Sequence, residues 1–394
     1  MFKHLFKLIW NKKKQNFLLM SEILISFMVL FAIFSLMVYY YNNYKKPMGI
    51  VYEDVWIANY NNSNPTKNTD SLNAYYETLR QTIKALPQVK GVSFASDNLP
   101  FTDYTNQTAI TFNKKRTTSI NTYSVDDTYH SVLGMQILEG RWFNKGDAVG
   151  KDKAIVINSG LKEELFGAGP AIGKLLGDYD DKKKMRIVGV VQGIKIKGDY
   201  SASGMGLYRL IDTGSYRWLS RILIKVAPGS DAAFEGRLYK ILANYMKNSD
   251  VEIEHLAKKR ISINYFSVIP IIVLSIVGCF LIINVALGLF GVLWYNINKR
   301  RGEIGLRRAV GATGKSVSLQ LIMESMILAT LSLIIGTFFA IQFPLLNVFN
   351  IEASIYIVAL LLAIIFIYLL VFVCSLYPGK QAAAIYPAVA LHEE

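Results

Sequence analysis

Cysteine, histidine and charge are all scarce in this chain. The two cysteines, Cys279 and Cys374, both lie in long apolar runs, which excludes a small fold stapled by disulfides. Four histidines without cysteine companions argue against a structural zinc site, and no spacing of ligand residues suggests another metal. Only 18% of the 394 residues are charged, against about 25% in an ordinary soluble domain. With 52% hydrophobic residues and a mean hydropathy of +0.28, the composition leans to a membrane protein and rules out intrinsic disorder. The net charge of +14 raises nucleic acid as a partner. No basic stripe interleaved with stacking aromatics supports that, so no nucleic acid is expected.

A bilayer core needs about 20 apolar helical residues to cross. Four segments meet that requirement, at about 17–40, 265–294, 319–343 and 355–376. Basic residues set their orientation. Lys3, Lys7, Lys12, Lys13 and Lys14 precede the first segment, and Lys299, Arg300, Arg301, Arg307, Arg308 and Lys315 fill the second-to-third connection, whereas 344–354 has neither Lys nor Arg. Both termini are therefore expected in the cytoplasm, with the block between the first two spans outside. A cleaved signal peptide is the competing reading of 1–40, but the apolar run is too long and ends in an aromatic anchor, Tyr39, Tyr40 and Tyr41. Ahead of it, Phe2, Leu5, Phe6, Ile9 and Trp10 share one helical side and Lys3, His4 and Lys7 the other, the pattern of a helix lying in lipid headgroups.

The chain thus divides into a cytoplasmic amphipathic helix (1–16), a first span (17–41), a large extracytoplasmic domain (42–263), a second span (264–297), a cytoplasmic coupling segment (298–317), a third span (318–343), a short outer loop (344–354), a fourth span (355–376) and a cytoplasmic tail (377–394). In the large domain, β-rich stretches at 50–60, 89–95, 108–112 and 117–125 flank a helical segment, 72–86, with Ser71 as its cap and Pro87 as its stop. Strand, helix and strand recur at 218–226, 231–246 and 251–255. Two such units in one sheet give a ferredoxin-like arrangement, with a smaller subdomain inserted at about 126–207. The expected fold class is therefore four transmembrane helices plus an α+β extracytoplasmic domain of ferredoxin-like βαβ halves carrying that insert.

The stretch 309–316, AVGATGKS, fits a relaxed phosphate-loop pattern. It follows a charged helical stretch instead of a buried strand, and no magnesium-binding partner is in view, so a nucleotide site is not expected there. The same region reads better as a contact helix. Glu303 and Arg307 form an i,i+4 pair, Ile304, Leu306, Ala309 and Val310 supply apolar surface, and Gly311 and Gly314 end the helix. Two acids lie inside spans, Glu22 and Glu324. An intramembrane carboxylate is a functional hypothesis by default, although both sit near the cytoplasmic end, where snorkelling or pairing with Arg or Lys is cheap, and a structural contact between helices is the preferred reading over a transport or proton role. No Ser-His-Asp set or acid pair is readable; His130 and His255 are isolated, and no catalytic residue is assigned.

The segment RRGEIGLRRAVGATGKSVSLQLIMES (300–325) resembles the motif of the FtsX-like permease superfamily, through Glu303, Gly305, Arg307, Arg308, Ala309, Gly311, Ala312, Gln320 and Glu324. The outer block is similar to the periplasmic core domain of MacB-type ABC transporters, through GMQILEGRWFNKGD, AIVINSGLKEELFGAGPAIGKLL and MRIVGVVQGIK; the ending PGKQAAAIYPAVALHEE is similar too, with His392 where a basic residue is more usual. The resemblance implies a non-enzymatic permease subunit of the bacterial inner membrane, with no cofactor of its own. ATP and magnesium would be bound by two copies of a separate ABC ATPase, docked on Glu303, Ile304, Gly305, Leu306, Arg307, Arg308, Ala309, Gly311 and Ala312. It also implies a second permease subunit, the same chain or a sister, and admits an adaptor and an outer-membrane channel. ATP-driven motion would be relayed to the outer domain for efflux or envelope export. Lipoprotein release, or scaffolding that activates a cell-wall hydrolase, are the alternatives.

Overall fold

The computed structural model describes residues 13–61, 69–102, 104–148, 152–178, 184–211, 219–247 and 249–385. Most of the expected amphipathic helix and the end of the tail lie outside them, as does residue 218. The chain forms two compact units, Asn43–Ser267, here the head, and Met1–Asn42 with Val268–Glu394, the span unit.

The head holds β1 (Val55–Tyr60), α2 (Thr69–Lys84), β2 (Val89–Ala95), β3 (Gln107–Phe112), β4 (Lys115–Val125), α3 (Tyr129–Val132), β5 (Ile137–Gly140), β6 (Lys153–Asn158), α4 (Ser159–Phe166), β7 (Leu175–Gly177), β8 (Lys184–Val191), β9 (Gly206–Leu210), β10 (Arg221–Val226), α5 (Ala232–Tyr245) and β11 (Val251–His255). Strands β11, β1, β10 and β2 lie side by side in that order, every neighbour antiparallel. Both faces of this sheet are buried, because side chains alternate along a strand. Trp56, Ala58 and Tyr60 of β1 face one core with Tyr76, Leu79 and Ile83 of α2 and Phe234, Leu238 and Leu242 of α5. Val55 and Ile57 face a second core with Tyr123, Tyr129, Trp142 and Tyr208. Asp231 starts α5 by accepting a 2.9 Å hydrogen bond from Phe234 N. Ser71, expected as a cap, instead lies inside α2, which begins at Thr69.

The remaining strands close on themselves. From β4 the pairing runs through β3, β7, β8, β6 and β9 and returns to β4. Its interior is filled by Ile110, Ile120, Ile155, Ile157, Leu161, Leu176, Ile187 and Leu207. This corrects the insert expected at about 126–207. The closed part already starts at β3 and is not a separate body, because β4 serves both parts: Ile120 faces the closed interior, Tyr123 and Val125 face the shared core, and Val125 pairs with Ala95 of β2.

Among the described residues, four helices are long and apolar enough to cross a membrane, and most of each lies in the span unit: α1 (Lys13–Lys45), α6 (Leu256–Lys299), α8 (Gly314–Ala340) and α10 (Ala353–Ala383). The short α7 (Arg301–Ala309) lies between α6 and α8, and α9 (Gln342–Leu345) follows α8. The core joins Leu19, Ile23, Phe27 and Phe31 of α1 to Val285 and Leu289 of α6, Leu328 and Leu333 of α8, and Ala359, Ala363 and Ile367 of α10. Small residues set the spacing, as in membrane helix pairs generally. A Cβ on Gly336 would stand 2.5 Å from the Phe27 ring, so α1 and α8 approach to a distance no larger residue allows. Ser332 Oγ donates to Met20 O at 3.0 Å across the same pair.

Candidate coupling site

The segment after α6 is folded by its own sequence. Arg300 breaks the helix, α7 follows, and Gly311 at φ +104° turns the chain where a side chain would be strained. Thr313 then starts α8, its Oγ1 accepting from Ser316 N at 3.2 Å. Helix α7 turns one face inward. Ile304, only 6% exposed, packs with Ile297, Val317, Leu321 and Ala382, and Gly305 is buried beside it. The opposite face is apolar and open, with Leu306 55% and Val310 81% exposed.

Five polar side chains close a circuit around this helix. Arg300 Nε donates to Glu303 at 3.0 Å; Glu303 accepts from Arg307; Arg307 Nη1 donates to Gln320 Oε1 at 3.0 Å. Gln320 Nε2 donates to Glu324 at 3.1 Å, and Glu324 returns to Arg300 at 3.3 Å. The spacing explains how two helices share one ring: residues 300, 303 and 307 lie on one side of the α7 turn, and 320 and 324 are one turn apart on α8. Arg308 reaches elsewhere, donating to Ala383 O at 2.8 Å and to Ile385 O. A cation there satisfies carbonyls that the end of α10 leaves without partners. Helix α7 is thus fastened to α8 by the ring and to α10 by Arg308.

Of the residues singled out from sequence, Glu303, Arg307 and Glu324 are brought together in the ring. Ile304 and Gly305 pack inward, and Leu306, Ala309 and Gly311 are exposed; Ala312 is half-buried. Glu22 stands apart from the ring, against Gly288 of α6, where a Cβ would meet its carboxylate at 2.5 Å. Arg300 was read from sequence only as a topogenic charge, yet it is the hub between Glu303 and Glu324. Its spacing of three and seven residues from Glu303 and Arg307 was the available signal. The phosphate-loop lookalike fails on geometry as well: the added Cβ of Gly314 would lie 2.8 Å from Ala383 O, so a carbonyl, not an anion, occupies the space above that backbone.

Two family models match the chain. The MacB-like periplasmic core domain matches residues 17–238, and the FtsX-like permease C-terminal domain matches residues 275–387, which contain the whole ring. The chain belongs to the MacB/FtsX-like permease family. This permease is 25% identical over 292 residues to the macrolide export ATP-binding/permease protein MacB of Escherichia coli K12, covering 68% of this chain and 43% of that one. It is 25% identical over 227 residues to MacB 1/2 of Paracoccus denitrificans, covering 56% of this chain and 34% of that protein. It is 22% identical to the uncharacterized ABC transporter permease YvrN of Bacillus subtilis over 80% of this chain and 79% of that chain. The permease therefore spans less than half the length of these MacB proteins but most of the length of YvrN. Among solved structures, the periplasmic region of MacB from Actinobacillus actinomycetemcomitans aligns with 57% of this chain and 98% of that one, at 17% identity and a TM-score of 0.40. The permease is a multi-pass membrane protein with an α/β periplasmic domain.

Proposed function

We propose that this chain is the permease subunit of an ABC transporter that passes ATP-driven motion from a separate ATPase to its outer domain, in efflux or envelope export. The observation that carries this is the bracing of α7. A nine-residue helix is too short to hold its own shape in water. Here it is pinned to α8 by a closed polar ring and to α10 by Arg308, while Leu306 and Val310 are largely exposed among the described residues. A push on that apolar face loads two apolar helices at once instead of bending a loop. The ATPase, two copies with ATP and magnesium bound to them, would dock on this face, with both permease termini on the same cytoplasmic side. A second permease subunit, identical or a sister, would complete the transporter.

The test is the double variant Leu306→Asp/Val310→Asp in the full chain, co-expressed with its ATPase subunit. We expect loss of ATPase co-purification and of permease-stimulated hydrolysis, with membrane insertion retained. Unchanged recovery and stimulation would overturn the docking assignment. Labelling of Val310→Cys and of Tyr239→Cys by a membrane-impermeant maleimide, in cells and in inverted vesicles, checks the sidedness; both exposed to the same face would overturn the topology.

A further inference from the structure

The head contains a second polar knot, in the loop after β8, and it gathers the two places where the chain passes between the head and apolar helix. Lys195 is 2% exposed and Asp199 6% exposed. The Lys195 ammonium donates to the carbonyls of Asn43 and Lys46 and to Asp199 O at 3.2 Å. Those first two carbonyls belong to the end of α1 and the residue after it, where a helix leaves its last acceptors open and favours a cation. Asn43 Nδ2 donates in return to Tyr200 O at 3.2 Å, and the Tyr44 and Tyr200 rings stack at 5.9 Å. One loop therefore holds the end of α1 from two sides.

The same loop also holds the start of α6. Arg260 grips Asp199 with two parallel hydrogen bonds, Nε at 2.8 Å and Nη2 at 2.6 Å. Asn264 donates to the same carboxylate at 2.8 Å and accepts from Asp199 N at 2.9 Å. The Arg260 guanidinium lies over the Tyr52 ring at 4.5 Å. Gly198, at φ +89°, lets Asn264 in; a Cβ there would stand 2.3 Å from its Oδ1. The loop is anchored to the body of the head in turn, since Ile196 O accepts from Phe101 N at 2.8 Å and Lys197 Nζ donates to Thr102 O at 3.0 Å. Buried, bidentate and reciprocal bonds of this kind fix one geometry and resist any other.

We propose that residues 193–201 form a clasp that makes the emerging ends of α1 and α6 and the head a single rigid piece, with Lys195, Asp199 and Arg260 as the positioning residues. The clasp rests on the proposed function for its use, since a rigid joint matters only if something moves the helices. It does not rest on that function for its existence. Two helices joined to a sheet only by flexible connections would dissipate a displacement in the connections. Joined through the clasp, they deliver it to the loop, and through Ile196 and Lys197 to the segment at Phe101 and Thr102. Burial pulls the Lys195 ammonium below the ordinary lysine range, with the neighbouring Asp199 opposing that shift, which accords with a cation held by carbonyls away from bulk water.

The experiment is pulsed dipolar spectroscopy on the full chain in nanodiscs, with Cys279 and Cys374 first replaced by serine. Spin labels at Lys45→Cys and Tyr239→Cys report the end of α1 against the head, and labels at Ile261→Cys and Tyr239→Cys report the start of α6. A control pair at Leu175→Cys and Tyr239→Cys lies wholly on the body of the head and shows that the head is folded. We expect narrow distance distributions for both reporter pairs in the parent chain, unchanged when the ATPase is bound and trapped with vanadate. Lys195→Met should lose the narrow Lys45 distribution, Asp199→Asn the narrow Ile261 distribution, and Lys195→Arg should restore the first, with the control pair narrow throughout. Distributions in the two loss variants as narrow as in the parent, or a vanadate-driven change within the parent pairs, would overturn the clasp. Loss of ATPase binding with the parent distributions intact would instead overturn the proposed function and leave the clasp standing.

Discussion

The ring around α7 and the clasp in the head are built from the same few residue types and differ in how they fail. In the ring every member has two side-chain partners, so removing one leaves an open chain of four. Much of it is also wet, with Glu303 43% and Arg307 39% exposed at the side chain. In the clasp the partners are largely backbone carbonyls that cannot turn away, and the central lysine is almost wholly buried. The difference teaches that a polar network near apolar helices can either tune a surface or lock a joint. Redundancy and exposure decide which.

Single substitutions sharpen that contrast. The largest loss is expected for Lys195→Met, which removes the ammonium that Asn43 O, Lys46 O and Asp199 O share; Asn43 O keeps Lys46 N as a donor, and with weakened desolvated acceptors costing about 1–3 kcal/mol each, about 3 kcal/mol is expected in all. It is read as a drop in the thermal midpoint of the full chain in nanodiscs. Next comes Arg300→Met. This side chain is 13% exposed and is the cation beside Glu324, itself 15% exposed, so its loss should cost about 1.5 kcal/mol. Glu303→Gln should cost well under 1 kcal/mol, because exposed ion pairs contribute little and Gln can still accept from Arg307. The comparison breaks if Glu303→Gln and Lys195→Met lower the midpoint equally.

What could be read from sequence follows the same line between local and non-local information. Four spans are legible because about 20 apolar residues in a row have few other uses in a folded chain. The strands of β1, β2, β10 and β11 are legible because period-two burial is written into Trp56, Ala58 and Tyr60, and into Ile222 and Ile224. The Glu303–Arg307 pair is legible because four residues on a helix is a contact distance. The closed strand circuit was not, since its parallel closures, β4 with β9 and β6 with β8, join segments far apart in the chain. Nothing in MRIVGVVQGIK announces that Lys195 will cap a helix ending at Lys45. The same holds for Glu324, visible as an intramembrane acid but not as a partner of Arg300. Asn158 shows the mixed case: its Oδ1 caps α4 at Leu161 N, 3.0 Å, as a residue before a helix should, and also accepts from Gly206 N at 2.9 Å, which only the fold supplies.

A third knot, in the GRWFNKGD loop, should give a comparably small effect and a distinct pH signature. Trp142 and Phe143 bury themselves in the shared core and leave the flanking chain to be closed by Arg141 and Asp147, bonded bidentately at 2.6 and 2.7 Å, with Asn144 N donating to the same carboxylate at 2.8 Å. The Arg141 hydrogen bonds, with help from Asn144 N, hold the Asp147 carboxyl below the usual range against the opposing effect of burial. A folded-state value below the unfolded one, near 3.9 for aspartate, means stability that is present above about pH 4 and is lost as the pH falls through the folded value. Arg141 is 48% exposed, so solvent screening limits the gain to less than about 1 kcal/mol. Asp147→Asn should therefore lower the thermal midpoint slightly at pH 7, and the gap to the parent should close as both are titrated toward pH 3. No gap between the two at pH 7 would show that the loop is held by Trp142 and Phe143 alone. In that case exposure would no longer suffice to rank the three knots, because this one, with Asp147 only 10% exposed, would have no electrostatic share to lose.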